Sequence, residues 1–457
     1  MEDLVIKNGI IITPQGKIRG GLAISGGKIS YVGNDSSLPK ANQEINAQGL
    51  MVLPGLIDPH VHLGWDREER FKDECRTESV TAALGGITTL MTTVRFGDAL
   101  GSRLESYRKA KKIGQAHSFI DFKFNAFMFN QKHLDEIEGL IEEGIHSFKL
   151  LMAFTPEKGK EIGLQAIDWG FVYKLFEIVA RIGPPALPLI HCEEAYITHL
   201  LMERLMAEGR QDIAAWTESR PSMAETMQVY DAGLLAQSLG VSLYIVHVSA
   251  KESVDAVQYF KTKGVMIYGE TCPHYLVLDR NPDCGLLAKV MPPLRDTPDQ
   301  LRLWVGLRDG TLDTVGSDHC PTLRKEKEKG GLWKSRAGFA GMGAILPLLI
   351  SEGVNKGRLT WEQLVKITSE NTAKIFHIYP QKGAICPGSD ADLVIVDPQR
   401  EWTLGAEAFQ SRSDFSIYEG VRVKGYVWKT FLRGRLIAEN GRLVAEKPCG
   451  GYVLTSW

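Results

Sequence analysis

The sequence lacks the features of several protein classes. No uninterrupted apolar run reaches the roughly 20 residues that a membrane-spanning helix needs. Residues 1–9 do not show the basic-then-apolar pattern of a signal peptide. The seven cysteines are an odd number without a CxxC pair, which argues against a disulfide framework. These absences predict a cytoplasmic protein without a membrane partner.

An excess of either charge is also lacking. Lysine and arginine number 53 and aspartate and glutamate 55, so the formal net charge is −2. Proteins that bind nucleic acids ordinarily carry a basic surplus, so no nucleic-acid partner is expected. What is present is a 44% share of hydrophobic residues in 457, enough for one large catalytic domain with an attachment. We therefore expect a small, nearly neutral ligand.

Both chain ends contain short apolar segments separated by glycine, a pattern typical of strands. These segments are residues 4–13, 22–25, 28–32, 391–396, 426–432 and 435–439. Neither group has enough strands for a stable sheet of its own. We therefore predict that residues 1–53 and 383–457 meet in one small β-sandwich domain.

The intervening residues 54–382 follow a different pattern, in which strand-like segments mostly alternate with segments of helical spacing. The strand-like segments are residues 56–61, 87–92, 120–127, 146–151, 187–191, 243–247, 265–269 and 314–317. Eight strands and their helices over about 300 residues are typical of a TIM barrel. The predicted fold is thus α/β, a (β/α)8 barrel with an attached β-sandwich. The charge-rich residues 324–329 are predicted to be a solvated loop, with a substrate lid as the alternative.

Side chains that can bind a metal recur where these strands end. His60 and His62 lie two residues apart and so point to the same face of a strand. The other strand ends carry Lys149, His191, His247 and Asp318. An HxH pair alone is weak evidence, but the catalytic groups of a TIM barrel lie at the C-terminal ends of its strands. Imidazole and carboxylate groups suit zinc, so the pattern predicts a metal site.

Lys149 is the unexpected member of this group, because an ammonium cannot bind a cation. One interpretation is an exposed lysine that extends its charge into water. The other is a lysine that loses its charge through burial in the barrel mouth. Such a neutral amine can add carbon dioxide and become a carbamate, whose two oxygens can bridge two metals. The residues by themselves leave both interpretations open.

Several segments together resemble the cyclic amidohydrolases, which include hydantoinases, dihydropyrimidinases, allantoinases and dihydroorotases. They are residues 55–62 (GLIDPHVH), 146–149 (HSFK), 191–194 (HCEE), 247–249 (HVS) and 316–319 (GSDH). Residues 269–276 (GETCPHYL) and 317–321 (SDHCP) are most similar to the hydantoinase and dihydropyrimidinase branch. Residues 353–359 and 378–383 resemble L-hydantoinases in particular.

The resemblance implies two divalent metal ions, usually zinc. The implied ligands are His60, His62, Lys149, His191, His247 and Asp318. The first two histidines and Asp318 would hold one ion, the other two histidines the second, and an N6-carboxylated Lys149 would bridge them. A hydroxide between the metals would attack the ring carbonyl, and Asp318 would pass its proton to the departing ring nitrogen. The family also implies a homo-oligomer, a tetramer or dimer, that acts on a small cyclic amide and water.

Two positions depart from the pattern of relatives and bear on the substrate. Phe154 stands where many dihydropyrimidinases have a tyrosine that binds the developing oxyanion. Gly64 stands where dihydroorotases usually have an arginine for the substrate carboxylate and allantoinases have asparagine. Arg67, Arg70 or Arg95 could replace that arginine. Both departures make the predicted pocket less polar, which favours a neutral ring with an apolar substituent.

The resemblance places three residues against the substrate, namely Phe154, Met291 and Gly338. Backbone groups near Met291 and Gly338 would hold the –CO–NH–CO– edge of a hydantoin or dihydrouracil ring. Allantoinase or dihydroorotase activity is the nearest alternative. A non-catalytic scaffold protein related to dihydropyrimidinases is the alternative from another class.

The neighbours of the implied ligands have simpler interpretations. Glu193 and Glu194 either hydrogen-bond a ligand histidine or cap the next helix, and His319 is expected to point away from the site. The cysteines beside the ligands are expected to be small buried hydrophobic residues. The tryptophans are expected to pack rather than to recognise a substrate.

Overall fold

The computed structural model describes residues 1–65, 67–94, 101–161 and 165–455. The strands are, in chain order, β1 Glu2–Thr13, β2 Gly16–Ser25, β3 Lys28–Gly33, β4 Ala41–Asn46, β5 Met51–Pro54, β6 Leu56–Leu63, β7 Ile87–Val94, β8 Asp121–Phe124, β9 Ala126–Phe127, β10 Ser147–Met152, β11 Leu187–Cys192, β12 Leu243–Ile245, β13 Ile267–Thr271, β14 Thr314–Val315, β15 Leu393–Thr403, β16 Arg422–Leu432, β17 Arg435–Glu439 and β18 Arg442–Leu443.

The α-helices are α1 Glu68–Leu84, α2 Arg103–His117, α3 Gln131–Asp135, α4 Ile137–Glu142, α5 Pro156–Glu161, α6 Trp169–Ile182, α7 Ala195–Ala207, α8 Ile213–Glu218, α9 Ser222–Leu239, α10 Lys251–Thr262, α11 Pro273–Val277, α12 Thr297–Asp309, α13 Arg324–Glu328, α14 Gly331–Lys334, α15 Ile345–Leu348, α16 Trp361–Val365 and α17 Asn371–Ile375. Short 3-10 or π-helical turns occur at Asp35–Ser37, Gly285–Ala288, Met342–Ala344, Leu349–Val354, Lys366–Glu370 and Ala406–Ala408. In the described part of the chain no helix is long and apolar enough to cross a membrane.

Eight parallel strands form the barrel, at the places where the sequence predicts them. Their order follows the chain from β6 to β14, with the third strand divided at Asn125 into β8 and β9. The His62 N–H donates to the His319 C=O at 2.8 Å, which closes the ring between the last strand and the first. Every residue of β7 is buried, as expected for a parallel strand covered on both faces. The TIM-barrel prediction is confirmed.

The two chain ends meet, as the sequence predicts. β1–β5 and β15–β18 form one continuous nine-stranded sheet, in which β15 pairs with β5 and so joins the two ends. This sheet has a hydrophobic core of its own, which includes Leu22, Ile24, Leu393 and Phe431. Each end alone would leave this apolar surface in water, so burying it together stabilises both. The domain boundaries at 53/54 and 382/383 stay predictions.

A buried ion cluster joins the chain-end sheet to the barrel. Lys382 Nζ lies 2.5 Å from Asp121, 2.7 Å from Asp392 and 3.0 Å from Asp390. Asp121 begins β8, at the barrel end opposite the predicted ligands. Burial lowers the pKa of Lys382, but the three carboxylates outweigh burial and raise the pKa above its usual value. The side chain therefore stays charged and ties the two parts together.

The charge-rich run predicted as a solvated loop is helical in the structure. α13 occupies most of it, and Arg324, Lys325 and Glu328 are exposed. Lys327, in contrast, is completely buried. The prediction of a solvated segment therefore holds for the outer face only.

Candidate active site

The metal-binding side chains at the strand ends converge at one end of the barrel. The ring centroids of His60 and His62 are 5.1 Å apart, and those of His191 and His247 are 4.5 Å apart. The His60 and His247 rings lie 5.2 Å from each other, so the two pairs adjoin. Lys149 Nζ is 3.3 Å from His60 Nε2. Asp318, which follows β14, lies 2.9 Å from His62 Nε2 through Oδ1 and completes the group.

The first histidine pair has the geometry of a metal site. One nitrogen or oxygen from each of His60, His62 and Asp318 lies within 4.8 Å of the others. The Nδ1 atom of His60 is hydrogen-bonded to Glu270 Oε1 at 2.7 Å, and that of His62 to Thr93 Oγ1 at 2.7 Å. Each ring therefore has its Nε2 directed to the common point. Metal-binding histidines are ordinarily held in this way by their second nitrogen.

His191 is oriented by an ionised partner. His191 Nε2 donates to Glu193 Oε2 at 2.8 Å, which leaves Nδ1 as the atom that could bind a metal. Arg220 Nη1 lies 3.2 Å from the other oxygen of Glu193. Burial raises the pKa of Glu193, but Arg220 and the hydrogen bond from His191 outweigh it and lower the pKa to about 2. Glu194 instead accepts from the Ile197 N–H and caps α7, so each interpretation applies to one of the two glutamates.

Burial favours the neutral form of several basic groups of this site. It lowers the pKa of His60 and of His247 well below the usual value. It also lowers the pKa of Lys149 to about 8, against the opposing effect of Glu270 and Asp318. Neutral imidazole is the form that binds metals, and a neutral amine is the form that can add carbon dioxide. The donor set therefore fits divalent metal ions.

A cavity of about 400 Å³ opens beside these side chains. Its wall includes all three residues predicted to contact the substrate, Phe154, Met291 and Gly338. Residues that sequence analysis does not assign to the site also line it, namely Trp65, His199, Trp216, Arg220, Lys289, Trp333 and Arg336. A cavity of this size and mixed polarity suits a small molecule.

Comparison with known proteins identifies the family. The profile described as "Amidohydrolase family" matches residues 229–441. The L-hydantoinase of Paenarthrobacter aurescens is 32% identical over 99% of this chain and 98% of its own length. The D-hydantoinase of Ralstonia pickettii is 34% identical over 99% and 98%. The chain belongs to the amidohydrolase family.

Solved structures place this amidohydrolase in the hydantoinase and dihydropyrimidinase branch. The dihydropyrimidinase of Brevibacillus agri NCHU1002 has a TM-score of 0.92 at 33% identity, covering 100% of this chain and 99% of that one. The L-hydantoinase of Arthrobacter aurescens has a TM-score of 0.91 at 31% identity, covering 99% and 100%. The similarity therefore includes both the barrel and the chain-end sheet.

Glu270 is a site residue of this amidohydrolase that the sequence analysis did not assign. Its Oε1 accepts from His60 Nδ1 and from the His247 N–H at 3.0 Å, and its Oε2 accepts from the Tyr244 hydroxyl at 2.8 Å. One carboxylate thus positions a ligand residue from each histidine pair. The available signal was its place near the end of β13, the strand position at which the ligands themselves occur.

Two of the site residues have unusual backbone conformations. His247 has a φ of 41° and Asp318 a φ of 50°, in the left-handed region that non-glycine residues rarely adopt. Such a conformation costs on the order of 1 kcal/mol, and residues that retain it cluster at functional sites. Here it lets a strand end turn its side chain into the cavity.

The neighbours of the ligands are placed as the sequence predicts. His319 is completely buried and directs Nε2 to Glu78 at 2.9 Å, away from the cavity. Its Nδ1 accepts from the N–H groups of Gly341 and Met342. The three cysteines beside the ligands are buried and free. Of these residues only Cys320 belongs to the described wall of the cavity.

The backbone of this amidohydrolase excludes an arginine at position 64. Gly64 has a φ of 64°, and a Cβ there would lie 2.3 Å from the Cβ of Phe71. Neither Arg67 nor Arg70 belongs to the described wall of the cavity, and Arg95 lies outside the described residues. Neither Arg67 nor Arg70 therefore replaces the carboxylate-binding arginine of dihydroorotases.

Proposed function

We propose that this amidohydrolase opens a cyclic amide of the hydantoin or dihydropyrimidine type by hydrolysing a ring amide bond. The observation that carries the proposal is the convergence of six potential metal ligands at a small-molecule cavity, whose wall includes all of them except the adjoining His60. The names of the similar proteins, hydantoinase and dihydropyrimidinase, support the ring type. A non-catalytic scaffold would have no need of a complete ligand set. Allantoin and dihydroorotate are less suited, because Gly64 offers them no polar side chain.

The cofactors of this proposal are two divalent metal ions, zinc by the chemistry of the donors. The residues that would hold them are His60, His62 and Asp318 for one, His191 and His247 for the other, and an N6-carboxylated Lys149 between them. When bound, the two ions would polarise the ring carbonyl and lower the pKa of a water molecule.

Asp318 is the proposed catalytic residue. Its carboxylate lies at the cavity wall beside His62, where it can take a proton from the attacking water. The same carboxylate can then give that proton to the ring nitrogen, which is a poor leaving group unless it is protonated. Phe154, in the place of an oxyanion-binding tyrosine, packs against Phe127, Phe129 and Leu151 and offers no hydrogen bond. Stabilisation of the carbonyl oxygen therefore comes from groups other than residue 154.

The ring edge is best matched by the backbone of Met291 and Ala337. Both residues line the cavity, and no described hydrogen bond within the chain uses the N–H or C=O of either. Gly338, which the resemblance indicates, instead donates its N–H to the Lys289 C=O at 2.9 Å. The –CO–NH–CO– edge of a hydantoin needs both donors and acceptors, which a free backbone segment supplies. We therefore place the ring against Ala337 rather than Gly338.

Hydrolysis of a substrate panel tests this proposal. We expect kcat/KM for a 5-substituted hydantoin to exceed that for dihydroorotate or allantoin by about tenfold or more, because unpaired polar groups are costly to desolvate. The panel contains hydantoins with several 5-substituents, dihydrouracil, dihydroorotate and allantoin, with ring opening and product chirality followed by chromatography. A preference for dihydroorotate or allantoin, or no ring opening by metal-loaded protein, would contradict the proposal.

We also propose that the protein forms a homo-oligomer through an apolar face of α9. Met223, Met227, Tyr230 and Leu234 share one side of this helix and are between 39% and 53% exposed. Exposed residues of the adjacent helices α7 and α10 add Tyr196, Leu200 and Tyr259. Large apolar side chains that are exposed next to one another mark protein–protein contact surfaces. A second copy of the chain presents the same face, so the two faces can bury each other in a symmetric interface.

A lysine in this face is expected to separate the subunits. Met227→Lys places a charge on the apolar side of α9, and a charge buried without a partner is strongly unfavourable. Light scattering should show the mass falling to that of a smaller species. The matched control is Val444→Lys, at a residue 43% exposed beside the chain-end sheet, which should leave the mass unchanged. A monomeric wild-type protein would contradict the proposed oligomer.

We place the protein in the cytoplasm. All seven cysteines are free, including three buried beside the proposed ligands. A reducing compartment keeps such thiols free and the site unmodified.

A further inference from the structure

Two buried lysines outside the catalytic group hold the segment that carries Ala337. Lys289, just before the cavity-lining Met291, is 2% exposed, and Lys327 on α13 is 0% exposed. Neither ammonium belongs to any ion pair among the described residues. Lysine is almost never fully buried without a partner. The groups that accept hydrogen bonds from these two side chains therefore indicate their role.

Lys327 donates to three backbone carbonyls at once. Its Nζ lies 2.7 Å from the Lys289 oxygen, 3.0 Å from the Arg336 oxygen and 3.0 Å from the Gly338 oxygen. Three acceptors match the three N–H donors of an ammonium, whereas a neutral amine has only two. Lys327 thereby connects the segment around residue 289 with residues 336–338 on the cavity wall.

Lys289 holds the other end of the same segment. Its Nζ donates to the Leu332 and Ser335 carbonyls at 2.7 and 2.6 Å and lies 4.0 Å from the centre of the Trp216 ring. These carbonyls are at the C-terminal end of α14, where no further helical N–H is available to them. The Lys289 amino group therefore caps a short helix and lies over the ring of a cavity-lining tryptophan.

One residue of the segment keeps a backbone N–H and C=O that take part in no described hydrogen bond. The carbonyls of Ser335, Arg336 and Gly338 accept from a lysine, and the Gly338 N–H donates to the Lys289 C=O. Ala337, between them, has neither its N–H nor its C=O in any described hydrogen bond. We infer that Lys289 and Lys327 are positioning residues, which clasp residues 332–338 so that the Ala337 backbone faces the substrate ring. The identity of that ring rests on the proposed function, and the clasp itself does not.

Methionine is the matched replacement for either lysine. Burial lowers the pKa of Lys289 to about 6 and that of Lys327 to about 7, so the N–H bonds to the carbonyls, rather than a permanent charge, are what each side chain contributes. Methionine keeps a similar volume and removes the charge and the donors, which avoids leaving a cavity. Lys325→Met is the control, because Lys325 is an exposed lysine of the same helix α13.

Steady-state kinetics with a hydantoin that the protein hydrolyses distinguishes a role in positioning the substrate from a role in overall stability. Lys289→Met and Lys327→Met should each raise KM by about 10- to 100-fold, because a displacement of about 1 Å in a binding group is enough for such an effect. kcat and metal content should stay within about threefold of the wild-type values, and Lys325→Met should resemble the wild type. Lys327→Gln keeps two N–H donors and should give an intermediate KM, which provides the test if the methionine variant does not fold.

Hydrogen exchange measures, without any substrate, how firmly the two lysines hold residues 332–338. In metal-loaded protein, the amides of residues 332–339 should exchange faster in both methionine variants and normally in Lys325→Met. If the wild type opens no cyclic amide, the proposed function fails, while the exchange result still decides the clasp. Wild-type KM and wild-type exchange in the methionine variants would overturn the inference. A loss of metal or melting temperature with an unchanged KM would also overturn it, since the role would then be structural only.

Discussion

Replacement of Lys149 by alanine is expected to remove bound metal and activity together. The amine lies 3.3 Å from His60 Nε2 and is enclosed by the two histidine pairs, so a carbamate there would contribute to both metal sites. Residues that only orient a ligand change metal affinity by about 10- to 100-fold, and the loss of a shared ligand should exceed that range. Elemental analysis and turnover, measured on the same sample, check the result.

The control for this variant is another buried lysine of the barrel. Lys123 donates to the Gly144 carbonyl at 2.9 Å and to Thr455 Oγ1 at 2.6 Å, away from the cavity. Lys123→Ala should lower the melting temperature and keep the metal. Short carboxylic acids with bicarbonate should partly restore Lys149→Ala, because they supply the missing oxygens. Full activity of Lys149→Ala without any addition would rule out the bridge.

Asp318→Asn is expected to lower kcat by about 10²–10⁴, the range for loss of general acid–base catalysis. Asparagine nearly keeps the shape of the carboxylate and still has an Oδ1 atom that can bind a metal, but it cannot carry the proton. Single-turnover measurement of ring opening in metal-loaded protein separates this step from product release.

A partly buried carboxylate next to β14 provides the comparison for Asp318. Asp313 lies just before this strand and pairs with Lys261 at 2.7 Å, at the end of the barrel opposite the cavity. Asp313→Asn removes a charge without touching the cavity and should leave kcat unchanged. Retained metal with lost turnover in Asp318→Asn would support the proton transfer, and unchanged turnover would exclude it.

The six proposed ligands could be predicted because each depends on local information. The hydrophobic pattern shows where a strand ends, and in a parallel barrel all C-terminal strand ends meet at one face. His191, for example, is predicted from its place at the end of a strand together with the family resemblance of residues 191–194. The same reasoning applies to Glu270, which lies at the corresponding place in β13, although the sequence does not show which side chain it would bind. Its bond to His60 joins residues 210 apart in the sequence.

Lys327 shows where a local pattern is insufficient. It lies within a run of charged residues, which predicts solvent exposure, yet its side chain is completely buried. The reason is that three carbonyls from two other segments surround its ammonium. The tryptophans show the same effect, because Trp216 and Trp333 pack together and also line the cavity.

The sequence by itself determined the barrel, the meeting of the chain ends and the chemical character of the site. These follow from the spacing of apolar residues and from side-chain type, which are properties of neighbouring residues. Only the tertiary structure decided which polar groups remain available to a ligand. The Gly338 N–H donates to the backbone C=O of Lys289, whereas the N–H and C=O of Ala337 take part in no described hydrogen bond. The types of these two adjacent residues do not encode this difference. Hydrogen-bond partners are chosen between segments that meet only after folding, and the groups left without a partner form the binding surface.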